Sequence, residues 1–351
     1  MAGFFRSDRR PGYQPALAWF AALGAVWVFV LVTLGAFTTS IGAGMVFPDW
    51  PLSDGSLDPP GWLGNLAMFA EHAHRLSAGI MSAITIVLAL WLWRREPRRW
   101  LRRLGAFAVA LVLAQAVVGG LRVLLDRYPV ASAATSLGQL FAMLHACLAQ
   151  IFVCTLLAVA AAVARPWVEW RPAGPDRTGP GIRRLAVACC GLLLVQLGIA
   201  AVMRHSFAGL AIPTFPLTPD GGLVPARWDF RVGINFAHRA MALVLAVTVA
   251  GLAAAVWRAR GRPRGGGAAL PRLAALMLAL LAAQVALGAA IVWTGRDPYV
   301  ATAHVLVGAL LSAVTFLLAW LAHRDVIELP RAQGARTLED EPAVRGAAVH
   351  A

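Results

Sequence analysis

The sequence predicts an all-α polytopic membrane protein: eight transmembrane helices, arranged as two four-helix bundles related by a pseudo-two-fold axis, with both termini cytoplasmic. Three observations carry this expectation. The 351 residues are 59% apolar and 14% charged, far from the composition of a soluble domain. Eight apolar runs approach or exceed the roughly 20 residues that a helix needs to cross about 30 Å of hydrocarbon. The second half of the chain also repeats the pattern of the first.

The runs cover 15–38, 70–93, 104–125, 138–164, 182–203, 231–257, 270–294 and 300–322. The first follows a short tail, residues 1–14, and is too long, without a small-residue cleavage site, to read as a removed signal peptide. The last, VATAHVLVGALLSAVTFLLAWLA, carries one polar ring, that of His304.

All 31 basic residues are arginine, and 23 of them lie in the two tails and in the segments 94–103, 165–184 and 258–272. Residues 39–69 contain none. Positive loops stay in the cytoplasm, which puts both termini there. Topology alone accounts for the net charge of +14, so the lipid membrane is a predicted partner and nucleic acid is not. Cys147, Cys154, Cys189 and Cys190 all fall inside spans rather than in outer loops, where a disulfide would form. They read as small buried residues.

The repeat is visible in three places. EHAHRLSAG (71–79) aligns with NFAHRAMAL (235–243), AQAVVGG (114–120) with AQVALGA (283–289), and VFPDWPLSDG (46–55) with AIPTFPLTPDG (211–221). A single histidine, His145 or His304, then opens the fourth span of each half. Units of equal orientation predict one bundle over 15–164 and a second over 182–322, joined by the Arg/Pro/Gly-rich linker 165–181 and followed by a polar tail, 323–351.

This topology sets His74, His145, His238 and His304 at one depth, near the outer starts of the second, fourth, sixth and eighth spans. Ionisable residues inside a bilayer are costly and usually serve a site. Each half supplies two facing imidazoles without a carboxylate or thiolate cluster. That set suits the axial positions of a haem better than zinc, which wants three or four protein ligands. The chain lacks a CxxCH motif, so any haem is held without thioether bonds. Two haem sites follow, one at His74 and His145 and one at His238 and His304.

Arg75 and Arg239 directly follow two of these histidines, where their guanidinium groups could meet haem propionates or snorkel to lipid headgroups. Glu71 shares a helix face with His74, whereas His72 points away from it, towards headgroups, a second helix or a propionate. The repeat puts Asn235 where the first half has Glu71. A carboxylate able to move protons or stabilise a developing cation therefore stands beside one site only. The plainer reading of Glu71 is a salt bridge to Arg75. His205, His323 and His350 lack suitable repeat partners and read as loop or tail residues.

EHAHR leading an apolar helix, preceded by GAFTTSIGAGMVFPDWPLSDG and accompanied by the second AHR and the single-histidine helices, resembles the haem A synthase family (bacterial CtaA and mitochondrial Cox15 type) over about residues 20–322. The resemblance implies an enzyme of the bacterial inner membrane. It would oxidise the methyl group at carbon 8 of haem O to a formyl group through hydroxylated intermediates, giving haem A for terminal oxidases. It implies that His74 and His145 attend the substrate haem, that His238 and His304 hold a haem b that passes electrons, and that the family's important glutamate is Glu71. Haem O, a haem O synthase and an unidentified electron donor become candidate partners.

The chain departs from the family at one place. Many members carry a cysteine pair in the first outer loop, where Phe47 and Ser53 stand here. Between these, Pro48, Asp49, Trp50 and Pro51 read as a rigid interfacial turn with an aromatic anchor. The rival reading is a di-haem b-type cytochrome that relays electrons without modifying haem. It explains the four histidines equally well, but not the difference between Glu71 and Asn235. A transporter would want broken helices and a polar site at the midplane.

Overall fold

The computed structural model describes residues 12–130, 135–169, 178–260 and 269–328. Along the chain run α1 (Pro15–Ser40), a 3₁₀ turn (Trp62–Gly64), α2 (Leu66–Arg95), α3 (Arg99–Leu124), the hairpin strands β1 (Pro129–Val130) and β2 (Thr135–Ser136), and α4 (Leu137–Val163). A short α5 (Arg165–Val168) leads to α6 (Pro180–His205), α7 (Phe230–Arg258), α8 (Ala269–Trp293), α9 (Pro298–Ala322) and a short α10 (Arg324–Glu328). The eight long helices are each long and apolar enough to cross a membrane, one for each expected span, and the chain is a multi-pass membrane protein.

The helices that carry the four histidines begin earlier than the apolar runs, because each has a side-chain cap. Asn65 Oδ1 accepts from the N–H groups of Ala67 and Met68 ahead of α2, and Ser136 with Gln139 forms a capping box at α4. Asp229 accepts from the N–H of Val232 at α7, and Asp297 from those of Tyr299 and Val300 at α9. Caps satisfy N–H groups that the first turn leaves free. At α2 the cap starts the helix one turn ahead of the apolar run, whereas α4, α7 and α9 start within two residues of theirs. His74, His145 and His238 lie eight residues inside their helices, about 12 Å from the helix start at 1.5 Å per residue. His304 lies six residues inside α9.

In the N-terminal half, α1, α2, α3 and α4 each pack on the next and α4 returns to α1, and α6 to α9 close a second ring in the same way. Helices α2 and α4, like α7 and α9, therefore stand diagonally across their bundles. The halves meet along α1 with α9, α4 with α6, and α4 with α9, a pattern unchanged when the halves are exchanged.

Each half has one tight apolar core. Leu17, Met81, Leu88, Leu92, Leu101, Val153, Leu156 and Val159 fill the first. Leu193, Val249, Leu252, Val256, Met277, Leu311 and Leu318 fill the second. Close packing rather than water exclusion holds such helices together in lipid. Both cores lie at the ends of the bundles remote from the histidines.

The remaining segments are quickly placed. Of the linker, α5 is described and residues 170–177 fall outside the described residues. Of the two tails, 1–11 and 329–351, with His350, fall outside as well. His205 is not in a loop but ends α6, and His323 caps α9 and contacts the Ala319 carbonyl through Nδ1 at 2.8 Å. Glu328 on α10 accepts from Trp167 Nε1 at 3.0 Å and pairs with Arg98 at 3.4 Å, tying α10 to α5 and the start of α3.

Candidate functional site

The diagonal helices bring the histidines together at the bundle axes. The rings of His238 on α7 and His304 on α9 have centroids 6.5 Å apart. Two metal–nitrogen bonds of about 2 Å each plus two ring radii span about 6 Å, so this pair is spaced to share one metal ion. In both halves the buried Nδ1 atoms of His74, His145, His238 and His304 lack a hydrogen-bond partner among the described residues. Leaving such an atom unpaired costs about 1–3 kcal/mol, and four equivalent cases point to a common ligand.

Small residues and amides frame the rings. A Cβ added at Gly35 on α1 would stand 2.7 Å from Cε1 of His74, one at Gly119 on α3 3.3 Å from Cε1 of His145, and one at Gly288 on α8 3.3 Å from Cε1 of His304. Gln115 donates to the His145 carbonyl at 3.1 Å and Gln196 to that of His238 at 3.0 Å. Gln284 contacts Nε2 of His304 at 3.2 Å, leaving Nδ1 of that ring free. The aligned segments AQAVVGG and AQVALGA thus each supply one glutamine and one glycine to one histidine.

These residues fit haem. Among the described residues no group of three or more His, Cys, Asp or Glu side chains is placed to hold a metal ion, as a protein-caged zinc would need. Haem brings its own four equatorial nitrogens and asks the protein for axial ligands only. Two imidazoles across a bundle axis, beyond the end of the apolar core, meet that demand.

Beside the first pair, Glu71 and Arg75 fasten the outer loop. Glu71 Oε2 accepts from the N–H groups of Val46 at 2.7 Å and Phe47 at 3.1 Å, and Oε1 accepts from Arg75 at 2.6 Å. Arg75 also donates to the carbonyls of Asp49 at 2.7 Å, Phe47 at 3.0 Å and Leu52. The structure therefore shows the salt bridge of the plainer reading and places the Arg75 guanidinium among loop carbonyls. His72 lies buried beneath the loop, with Nδ1 2.9 Å from Ser53 Oγ and Nε2 3.1 Å from the Leu57 carbonyl. Phe47 and Trp62 meet its ring at centroid distances of 6.1 and 4.8 Å.

Within the loop, Asp54 and Gly55 adopt left-handed backbone conformations, with φ of 50° and 71°, and both N–H groups donate to the Asp49 carboxylate, at 2.9 and 2.8 Å. Burial alone would raise the Asp49 pKa, but these two donors and nearby Arg75 outweigh it and hold the carboxyl below the ordinary aspartate value. Trp50 lies on Gly120, where an added Cβ would come within 2.6 Å of the indole. Gly120 adjoins Gly119, so the loop reaches the wall behind His145.

The second half inverts this fastening. Asn235 Nδ2 donates to the carbonyls of Ala208 at 2.9 Å and Gly209 at 3.0 Å, so a donor to loop carbonyls stands where Glu71 accepts from loop N–H groups. Arg239 donates to the Ile212 carbonyl at 2.8 Å, the repeat counterpart of the contact from Arg75 to Phe47.

A sequence profile of the COX15-CtaA family, described as cytochrome oxidase assembly protein, matches residues 65–316. The chain belongs to this family. The match begins at the residue that caps α2 and takes in all four paired histidines. The chain is similar to a haem A synthase of Geobacillus kaustophilus, at 26% identity over 311 residues covering 87% of this chain and 91% of that one. A haem A synthase of Halalkalibacterium halodurans shares 24% over 298 residues, covering 83% and 92%. One from Geobacillus thermodenitrificans shares 26% over 332 residues, covering 93% and 98%.

Sequence reasoning missed several residues at the site of this family member. Gln115 with Gly119 and Gln284 with Gly288 were legible, as polar and smallest residues at equivalent places in apolar helices. Gly35 and Gln196 lie outside the aligned segments, and no local signal marks them.

Proposed function

We propose that the protein is a haem A synthase that oxidises the carbon-8 methyl group of haem O to a formyl group through hydroxylated intermediates. His74 and His145 attend the substrate haem, and His238 and His304 hold a haem b through which electrons pass. The observation that carries this reading is the duplicated histidine pair with unpaired buried ring nitrogens, in a chain of this family. Two equivalent cradles suit one resident and one transient haem.

Bound haem supplies the redox chemistry, and the protein's side chains position it. Gly35, Gly119 and Gly288 let the imidazoles lie against neighbouring helices, and Gln284 orients the His304 ring through a hydrogen bond, as partners of metal-bound histidines do. Asp49, Glu71, His72 and Arg75 pin the loop that backs onto the His145 wall and shields that side from water. Both oxygens of Glu71 are engaged in fastening the loop, and its carboxylate, one helical turn before His74, is the group for proton transfer at that site. The difference between Glu71 and Asn235 also reflects opposite loop polarity, so it does not by itself separate a synthase from an electron carrier. Arginine placement supports cytoplasmic termini and outer histidine sites, the helix contacts support one bundle in each half, and the bacterial relatives support insertion in a bacterial inner membrane.

The deciding experiment is chromatography and mass analysis of haem extracted from membranes that express the protein beside a source of haem O. Formyl or hydroxymethyl haem from the wild type and not from His74→Ala supports the synthase. Haem b and unchanged haem O from both, with verified expression and aerobic growth, overturns it in favour of the electron carrier.

A further inference from the structure

Arg204, in the last turn of α6, reaches from the C-terminal half into the N-terminal half. Its Nη2 donates to the Ala36 carbonyl at 3.1 Å and to Ser40 Oγ at 2.9 Å, both on α1. Ser40 Oγ also meets Thr302 Oγ1 of α9 at 3.2 Å, so one hydroxyl joins three helices from the two halves. Thr302 precedes His304 by two residues, and Ala36 adjoins Gly35, against which the His74 ring lies. The guanidinium therefore lies at the seam between the halves, against the turn of α1 that follows Gly35 and, through Ser40, the turn of α9 that carries His304.

The oxygens it meets on α1 carry no charge. Arg75 pairs with Glu71, Arg98 with Glu96 and Arg122 with Asp126, whereas Arg204 makes no ion pair with a carboxylate among the described residues. Arginine remains protonated under all ordinary conditions. A fixed cation in a poorly screening medium acts well beyond contact distance, and near a redox centre it favours the form that holds one more electron.

We propose that Arg204 is a positioning residue that joins the halves and, through its charge, stabilises the reduced state of the haem held by His238 and His304. This rests on the haem assignment above. Such a charge lets the resident haem hold an electron until the substrate side is filled.

The test is a spectroscopic redox titration of the purified protein as wild type, Arg204→Gln, Arg204→Lys and Ser40→Asp. Glutamine keeps an N–H donor and removes the charge, lysine keeps the charge, and aspartate at position 40 neutralises Arg204 in place. At fixed ambient potential the ferrous-to-ferric ratio of the low-spin haem is expected to fall about tenfold in Arg204→Gln and Ser40→Asp, about 59 mV for one electron. Arg204→Lys is expected to stay within about twofold of wild type, the range its retained charge allows. A wild-type potential in either neutralised variant overturns the proposal, as does a lysine shift equal to that of glutamine, which would make Arg204 a staple only. If Arg204→Gln fails to fold or to take up haem, Ser40→Asp and Arg204→Lys decide by the same criteria. A wild-type protein without bis-histidine haem overturns the haem assignment itself.

Discussion

Glu71 and Arg75, one helical turn apart on α2, meet at 2.6 Å and together hold the loop after α1 through the N–H groups of Val46 and Phe47 and the carbonyls of Phe47, Asp49 and Leu52. The pair looks like an i,i+4 helix contact. Its larger effect is on tertiary structure, because it aligns a rigid helix with the wall behind His145.

Removing the carboxylate should release this loop. Breaking a buried pair from one side costs about 3–5 kcal/mol, since the partner charge stays behind. Glu71→Ala is expected to speed amide hydrogen exchange across residues 43–57 and to lower the melting temperature, with Glu71→Gln intermediate because one acceptor oxygen remains. Exchange at wild-type rates in Glu71→Ala, measured by mass spectrometry, would show that the loop is held by other contacts.

The C-terminal pair should behave as a single ligand set. His238→Ala and His304→Ala are each expected to abolish the same low-spin haem b signal in the reduced spectrum, and His74→Ala to leave it in place. An unchanged spectrum in both C-terminal variants would remove that pair from haem ligation.

The framing glycines predict a graded effect. Gly35→Ala puts a methyl group 2.7 Å from the His74 ring, closer than real Cβ contacts come, whereas Gly288→Ala puts one 3.3 Å from His304, where a shift of a few tenths of an ångström suffices. Gly35→Ala should cut product haem about tenfold or more while the haem b spectrum persists, since a displacement of that size misplaces the reacting group. Gly288→Ala should only broaden or shift the haem b band. Full product yield in Gly35→Ala would mean that the His74 ring lies elsewhere in the working protein.

Asp49 gives the loop a pH dependence of defined sign. Its folded pKa is depressed by the N–H donors of Gly55 and Asp54 and by Arg75, which together outweigh burial. Its contribution is therefore complete above the ordinary aspartate value and is lost as pH falls through the lower folded value. Exchange in residues 49–57 should accelerate under acid conditions in the wild type. In Asp49→Asn it should be faster at neutral pH and lack that acid-dependent step.

The sequence by itself determined much of this protein. Apolar runs of spanning length gave all eight long helices, because hydrocarbon demands an unbroken hydrogen-bonded backbone about 30 Å long. The repeat of Ala-His-Arg and of the single histidines, with the matched segments around Gln115 and Gln284, located both candidate sites, because equivalent polar residues in apolar helices stand out against their surroundings. Tertiary structure decided the rest. The four caps were readable in type, yet only the folded turns show that they carry His74, His145 and His238 about 12 Å inside the helices. The acidity of Glu71 was legible, but its hold on the loop was not: whether a carboxylate also holds a loop depends on which N–H groups the loop turns towards it. Arg204 has no local signature at all. Its place at the seam exists only because α6 ends beside α9 and the Arg204 side chain reaches across to α1, and contacts between residues more than 160 positions apart leave no periodic trace along the chain.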